Sequence, residues 1–142
     1  MIERPSTGPH RVELEKWIAC APFERLLGME IKEADEGRAV LTMPFERQFA
    51  QGKGLLHGGA LVSLADTAVV MAIKSLLPEN THFATVSLET NFLKPVRQGI
   101  VTARAWVVRR EDRTLWGQAT VYDESEAEVL AFTSVFKVAV SR

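Results

Sequence analysis

The run Gly54–Ile73, GLLHGGALVSLADTAVVMAI, constrains this chain more than any other stretch. After its glycines nearly every position is Ala, Leu, Val, Met or Ile, and apart from His57 it holds one ionisable side chain, Asp66. A carboxylate inside such a run is costly to bury, so it needs a partner, a proton or a use. Gly58 and Gly59 fall where a helix would begin, and the first backbone N–H groups of a helix have no acceptor within it. A candidate base and a candidate anion site therefore share one segment. The helix is expected over Gly58–Leu77, with Pro78 as its stop. Small residues at Ala60, Ser63, Thr67, Ala68 and Ala72 would let a neighbouring backbone pack closely. A circumference this apolar must be covered nearly all round. The run is long enough to cross a membrane. Its central Asp, its His-Gly-Gly start and the strands that follow favour burial in protein instead.

The rest of the chain can supply that cover. Ala84–Leu93, Ile100–Val108, Thr114–Tyr122 and Glu128–Val138 alternate with the period of strands. Their short connections, Lys94–Gly99, Arg109–Arg113 and Asp123–Ala127, imply a four-strand meander of antiparallel neighbours. In the first strand Val86, Leu88 and Phe92 are expected on one face, with Thr85, Ser87, Glu89 and Asn91 on the other. Upstream, Met29–Ala34 and Arg38–Pro44 read as two strands joined at Asp35–Gly37. Glu13–Leu27 has roughly helical spacing, interrupted at Pro22 and closed by Gly28. Phe45–Lys53 is a polar loop into the central helix. Residues 1–12 read as a flexible arm and 13–142 as one α+β domain, its antiparallel sheet of five to six strands curling around one long helix.

Composition removes several functions. With 17 basic and 18 acidic residues, nothing points to nucleic acid or to an anionic membrane surface. The single cysteine, Cys20, cannot form an internal disulfide, and Met1–Arg11 is polar, so a cytoplasmic protein without a secretory leader is expected. No GxSxG, P-loop or dinucleotide fingerprint is present, and His10, His57, His82 and Cys20 lack metal-ligand spacing.

What remains is Gln51-x5-His57-Gly58-Gly59-x6-Asp66. This arrangement resembles the hotdog-fold acyl-CoA thioesterases, in particular the branch of PaaI-like enzymes and thioesterase superfamily member 2. Their pattern is an Asn or Gln six residues before HGG and an Asp or Glu nine residues after the His; both spacings occur here. Thr85–Val96, TVSLETNFLKPV, is similar to the family's third strand, and the likeness spans roughly residues 22 to 139. The resemblance implies hydrolysis of an acyl-CoA to the free acid and thiol. It implies no metal or redox cofactor, with coenzyme A entering as part of the substrate, and a homodimer or tetramer in which each active site is shared between two chains.

The chemistry is intelligible from the residues. A thioester carbonyl at the helix N-terminus would accept from the Gly58 N–H, reinforced by the helix dipole. Asp66 lies eight residues further on, about 12 Å along the axis, and cannot easily reach that carbonyl from its own helix. A second helix running antiparallel across a two-fold axis would bring its Asp66 there. Asp66 would serve as general base or as nucleophile, with burial raising its pKa.

The remaining residues each have two readings. His57 is a helix cap or positioning group as readily as a proton carrier. Gln51, as a second donor to the carbonyl, follows from the resemblance. Thr85 would orient the water, or simply suit a strand. Gly58 and Gly59 would admit the substrate, or only the turn. Lys94, Arg110 and Arg113 lie where strands end and are candidates for the phosphates of coenzyme A, although basic residues are common in solvated turns. Two other activities fit less well: a hotdog hydratase or dehydratase of enoyl or hydroxyacyl thioesters, and a non-catalytic acyl-CoA-binding module. The acyl group itself is open, with aryl-acetyl, benzoyl and medium-chain groups all compatible.

Overall fold

The computed structural model describes residues 6–140. Its long helix, α2 (Gly58–Lys74), lies against one face of a six-stranded antiparallel sheet. The strands are β1 (Glu30–Asp35), β2 (Arg38–Pro44), β3 (Phe83–Phe92), β4 (Ile100–Glu111), β5 (Thr114–Tyr122) and β6 (Glu128–Val138). A short helix α1 (Pro22–Leu26) precedes β1, and a 3-10 turn (Arg47–Phe49) follows β2. One long helix and an antiparallel sheet are what the sequence pattern implied.

The core forms where the two layers meet. Leu61, Leu64, Ala65, Ala68, Val69 and Ala72 of α2 are buried, and Val101, Ala103 and Ala105 of β4 and Leu115, Ala119 and Val121 of β5 alternate onto the same core. Helix and sheet are in close contact at Gly117, where an added Cβ would lie 2.3 Å from a methyl carbon of Val69. Only a residue without a side chain fits.

The sheet order corrects the meander. It runs β1-β2-β4-β5-β6-β3, so β3 pairs with β6 at the far edge and β4 pairs with β2. The connection Lys94–Gly99 is short, yet it carries the chain past two strands. Length alone had suggested a hairpin. The outer side of β3 has no strand against it among the described residues.

A second correction concerns the faces of β3. Thr85 pairs with Phe136, but Ser87 pairs with Val135, leaving Val86 as the extra residue of a β-bulge. The bulge resets the alternation, so Thr85 lies on the same face as Leu88 and Phe92, opposite the inward-facing Phe136, Ser134 and Leu130.

Other boundaries shift for identifiable reasons. The helical spacing of Glu13–Leu27 yields only α1, because Pro22 occupies the first turn and Glu24 bonds back to the Ala21 N–H at 3.1 Å. The preceding segment is held instead against the end of α2. The Trp17 indole donates to the Lys74 carbonyl at 2.8 Å, and Lys74 Nζ donates to the Trp17 carbonyl at 2.9 Å. These bonds fall at the end of α2, which stops at Lys74 and not Leu77. The expected arm lies partly outside the described residues; residues 6–12 carry neither helix nor strand.

Candidate active site

The N-terminus of α2 is held by a locked loop. His57 N–H donates to the Phe49 carbonyl at 2.9 Å, and Leu56 N–H donates to the Val96 carbonyl at 2.9 Å. These bonds tie the loop to the 3-10 turn and to the β3–β4 connection. His57 is the helix N-cap: its Nδ1 accepts from the Gly59 N–H at 2.8 Å. That bond fixes the ring against the first turn and occupies Gly59's amide. Gly58 begins the helix, and its N–H has no acceptor within it.

Gly58 is also crowded. A Cβ there would stand 2.9 Å from Cε1 of Phe92, whose ring lies against the first turn. Phe92 was not singled out from the sequence; an aromatic near the end of an alternating strand carries no signal that it touches a helix terminus.

Gln51 folds back on its own loop. Its Oε1 accepts from the Lys53 N–H and, at 3.4 Å, from the Leu55 N–H. With the oxygen anchored, Nε2 is the amide's uncommitted end.

Asp66 sits two turns down the same helix, half-buried on the side that faces β3. Thr85 Oγ1 donates to it, 3.1 Å from Oδ1 and 3.5 Å from Oδ2. Burial pushes the carboxyl's pKa up, and the Thr85 bond pulls it down by less, so the net shift is upward. The structure therefore joins Asp66 to Thr85, while Gly58 and its neighbour His57 stand at the head of the helix, Gly58 about 12 Å away along the axis.

The basic candidates are dispersed. Lys94 is at the Gly58 end, 3.5 Å from the Asp123 carboxylate. Arg110 and Arg113 are at the opposite end of β5, where Arg113 Nη1 donates to the Val138 carbonyl at 3.1 Å. Nine strand residues separate the two ends, about 30 Å. Among the described residues no three His, Cys, Asp or Glu side chains are grouped to hold a metal. No helix is long and apolar enough to cross a membrane.

Beside the first turn of α2 opens a cleft of about 270 Å³ between α1, the 3-10 turn and the helix. Phe23, Leu27, Phe49 and Ala60 contribute its apolar wall. Sequence reading did not find it, since its walls come from three separate segments.

A helix N-terminus whose Gly58 N–H has no acceptor in the helix and a half-buried carboxylate with a raised pKa are the parts needed to polarise a carbonyl and activate a water. Known proteins of similar sequence carry such an activity in their names. The acyl-coenzyme A thioesterase PaaI of Escherichia coli is 35% identical over 105 residues, covering 74% of this chain and 68% of that protein. The 1,4-dihydroxy-2-naphthoyl-CoA hydrolase of Listeria monocytogenes is 31% identical over 105 residues, covering 73% and 85%. A solved thioesterase from Haemophilus influenzae superposes with a TM-score of 0.77 at 30% identity, covering 82% of each chain. The fold is the hotdog fold that the HGG pattern implied. The model of the thioesterase superfamily matches residues 53–130, which include the helix head, Asp66 and Thr85, and the chain belongs to that superfamily.

Proposed function

We propose that this protein is an acyl-CoA thioesterase whose active site is completed by a second copy of the chain. The observation that carries the reading is Asp66: a half-buried carboxylate with a raised pKa, held by Thr85, on a helix whose free N–H groups it cannot itself reach. The thioester carbonyl is seated at the Gly58 N–H of one subunit, with Gln51 Nε2 as a second donor. Asp66 of the opposing helix takes a proton from water as the water oxygen bonds to the carbonyl carbon. The oxyanion is held by the donors, the C–S bond breaks as it collapses, and the proton passes to the leaving sulfur. Acid and free coenzyme A result. The chemistry calls for no metal or redox cofactor.

Two features support the dimer. The outer edge of β3 is unpaired among the described residues, and its apolar side chains Val86, Leu88 and Phe92 are 58%, 45% and 58% exposed. Such an edge normally finds cover. The uncovered stripe of α2, with Val62, Asp66 and Val70 half-buried, adjoins it. Pairing β3 with its copy about a two-fold axis would cover both and run the helices antiparallel. Association of dimers into tetramers is compatible with this arrangement. Lys94, Arg110 and Arg113 are proposed contacts for the coenzyme's phosphates, reached from different subunits. The lone Cys20 suits the cytoplasm.

The test is thiol release across an acyl-CoA panel, run beside Asp66→Asn. Turnover in the wild type and a loss of about 10²–10⁴ in the variant are expected. No hydrolysis of any thioester, or full activity in Asp66→Asn, overturns the assignment; hydration of an enoyl-CoA would move it to the hydratases.

A further inference from the structure

We propose that Trp17 is a positioning residue for the Asp66–Thr85 pair, setting the height of Thr85, on β3, over Asp66, on α2. The inference rests on the thioesterase reading and adds to it a residue upstream of the matched stretch 53–130.

Thr85 needs such a support because of where it sits. β3 is an edge strand, and within the chain it pairs only with β6. Thr85 stands opposite Phe136, between the bulge at Val86 and the end of the ladder, where Phe83 faces Val138. A bulge breaks a ladder locally, and strand ends open most readily. One further bond, from the Ala139 N–H to the His82 carbonyl at 2.7 Å, extends the pairing. All these bonds lie in the plane of the sheet. They hold β3 to β6 but leave its distance from the helix open, as would pairing of β3 with its copy. Core packing does not fix that distance either, because α2 rests mainly on β2, β4 and β5.

Trp17 spans the two layers. Its indole N–H donates to the Lys74 carbonyl at 2.8 Å, and Lys74 Nζ donates to the Trp17 carbonyl at 2.9 Å. The same ammonium lies 4.6 Å from the centre of the indole ring. Trp17 is thereby fastened to the last residue of α2, two turns past Asp66. Its ring meets that of Phe83 edge-on, with centroids 6.5 Å apart and planes at 72°. Phe83 in turn lies 6.0 Å from Phe136, the buried cross-strand partner of Thr85. The helix end has an anchor of its own, since Ser75 Oγ accepts from the Gly37 N–H at 2.8 Å. Loss of the indole should therefore free the start of β3 more than it frees the helix.

The Asp66 carboxyl is titrated by NMR in the wild type, Trp17→Ala, Phe83→Leu, Thr85→Val and the double variant Trp17→Ala/Thr85→Val, with steady-state hydrolysis measured beside it. Burial raises this carboxyl's pKa and the Thr85 bond lowers it, so the titration reads the bond. Trp17→Ala should move the midpoint up toward that of Thr85→Val. It should also lower kcat at neutral pH about threefold to tenfold and leave KM within about twofold. Phe83→Leu keeps the bonds to Lys74 and loses the ring contact. It should move the midpoint the same way, and it decides if Trp17→Ala does not fold. In the Thr85→Val background Trp17→Ala should leave the midpoint where it is. A midpoint unmoved in the folded variants overturns the positioning role. So does one that moves equally with and without the Thr85 hydroxyl, which is what a general loosening of the domain would produce. A wild type that cleaves no thioester while the midpoints shift as expected overturns the thioesterase reading and leaves the hold of Trp17 on the pair standing.

Discussion

The hydroxyl of Thr85, on β3, donates to the carboxylate of Asp66, on α2, at 3.1 Å. The bond stabilises the ionised carboxylate and so opposes the upward pull of burial on its pKa. Thr85→Val keeps the side chain's shape and removes the donor. The carboxyl's pKa should then rise further. Since a general base works only when deprotonated, the acid limb of the kcat/KM profile should move to higher pH, with kcat at neutral pH reduced by about tenfold. A pH–rate profile of the variant checks this; an acid limb that stays in place would mean that Asp66 is not the group being titrated.

The same shift has a sign for stability. Asp66 is easier to protonate folded than unfolded, so between its unfolded pKa of 3.8 and its raised folded value the folded state holds more protons. Stability from this group is therefore greatest at low pH and declines as pH rises through that window. At pH 7 the buried charge is a cost, and Asp66→Asn should melt higher than wild type there even as it loses activity. Thermal melts of the two proteins from pH 7 downward should converge as the wild-type carboxyl takes up its proton. Equal melting temperatures throughout would place Asp66 in a more solvated setting than the helix suggests.

How far the sequence disclosed this site depends on how local each feature is. The central helix, the isolated Asp66 within it and the His-Gly-Gly start are contiguous, and the period of the apolar residues exposes them directly. The distance between Gly58 and Asp66 follows from helix geometry alone. The order of strands does not, because a six-residue connection can close a hairpin or step past β5 and β6. The bulge at Val86 is hidden too: one unpaired residue reverses the inward set of β3, and no single-sequence alternation marks it. As a result Thr85 was expected on the face opposite Leu88 and Phe92, and the structure puts all three together. The contact between Phe92 and Gly58 and the cleft beneath Phe23 join residues distant in the chain, where periodicity has nothing to say.

That contact makes a specific substitution informative. Gly58→Ala would set a methyl group 2.9 Å from the Phe92 ring, closer than Cβ atoms tolerate. Either the ring swings away or the first turn shifts, and a shift of the oxyanion donor should lower kcat by about tenfold or more. Phe92 is 58% exposed, so Phe92→Ala removes the obstruction at little cost to the core; because the ring also lies on the β3 edge proposed to pair with its copy, each variant's oligomeric state is measured alongside its rate. The double variant should recover most of the lost rate, a coupling read from a double-mutant cycle. Additive losses would show that the crowding is not what requires glycine here.

Gly117 offers a parallel test confined to stability. Gly117→Ala would drive its Cβ to 2.3 Å from a Val69 methyl carbon, and the helix and β5 cannot separate there without opening the core. A loss of about 1–3 kcal/mol is expected from overpacking, with Val69→Ala restoring part of it in the double variant. Denaturant unfolding measures both. If Gly117→Ala is as stable as wild type, the helix must ride less closely on the sheet than these contacts imply.

The proposed sharing of the site is tested by mixing two inactive variants. Asp66→Asn leaves its own Gly58 intact, and Gly58→Val leaves its own Asp66 intact. Each homodimer should be nearly inactive. When equal amounts are unfolded together and refolded, half the dimers at random pairing contain one of each chain, and each of these has one intact site out of two. Activity should return to about a quarter of the wild-type level at equal concentration. A site built within one chain predicts no recovery, because every chain in the mixture lacks either its donor or its base. The helix geometry excludes a direct meeting of Gly58 and Asp66 in one subunit, whereas antiparallel helices across the β3 edge, as proposed, would bring them together twice, once in each site.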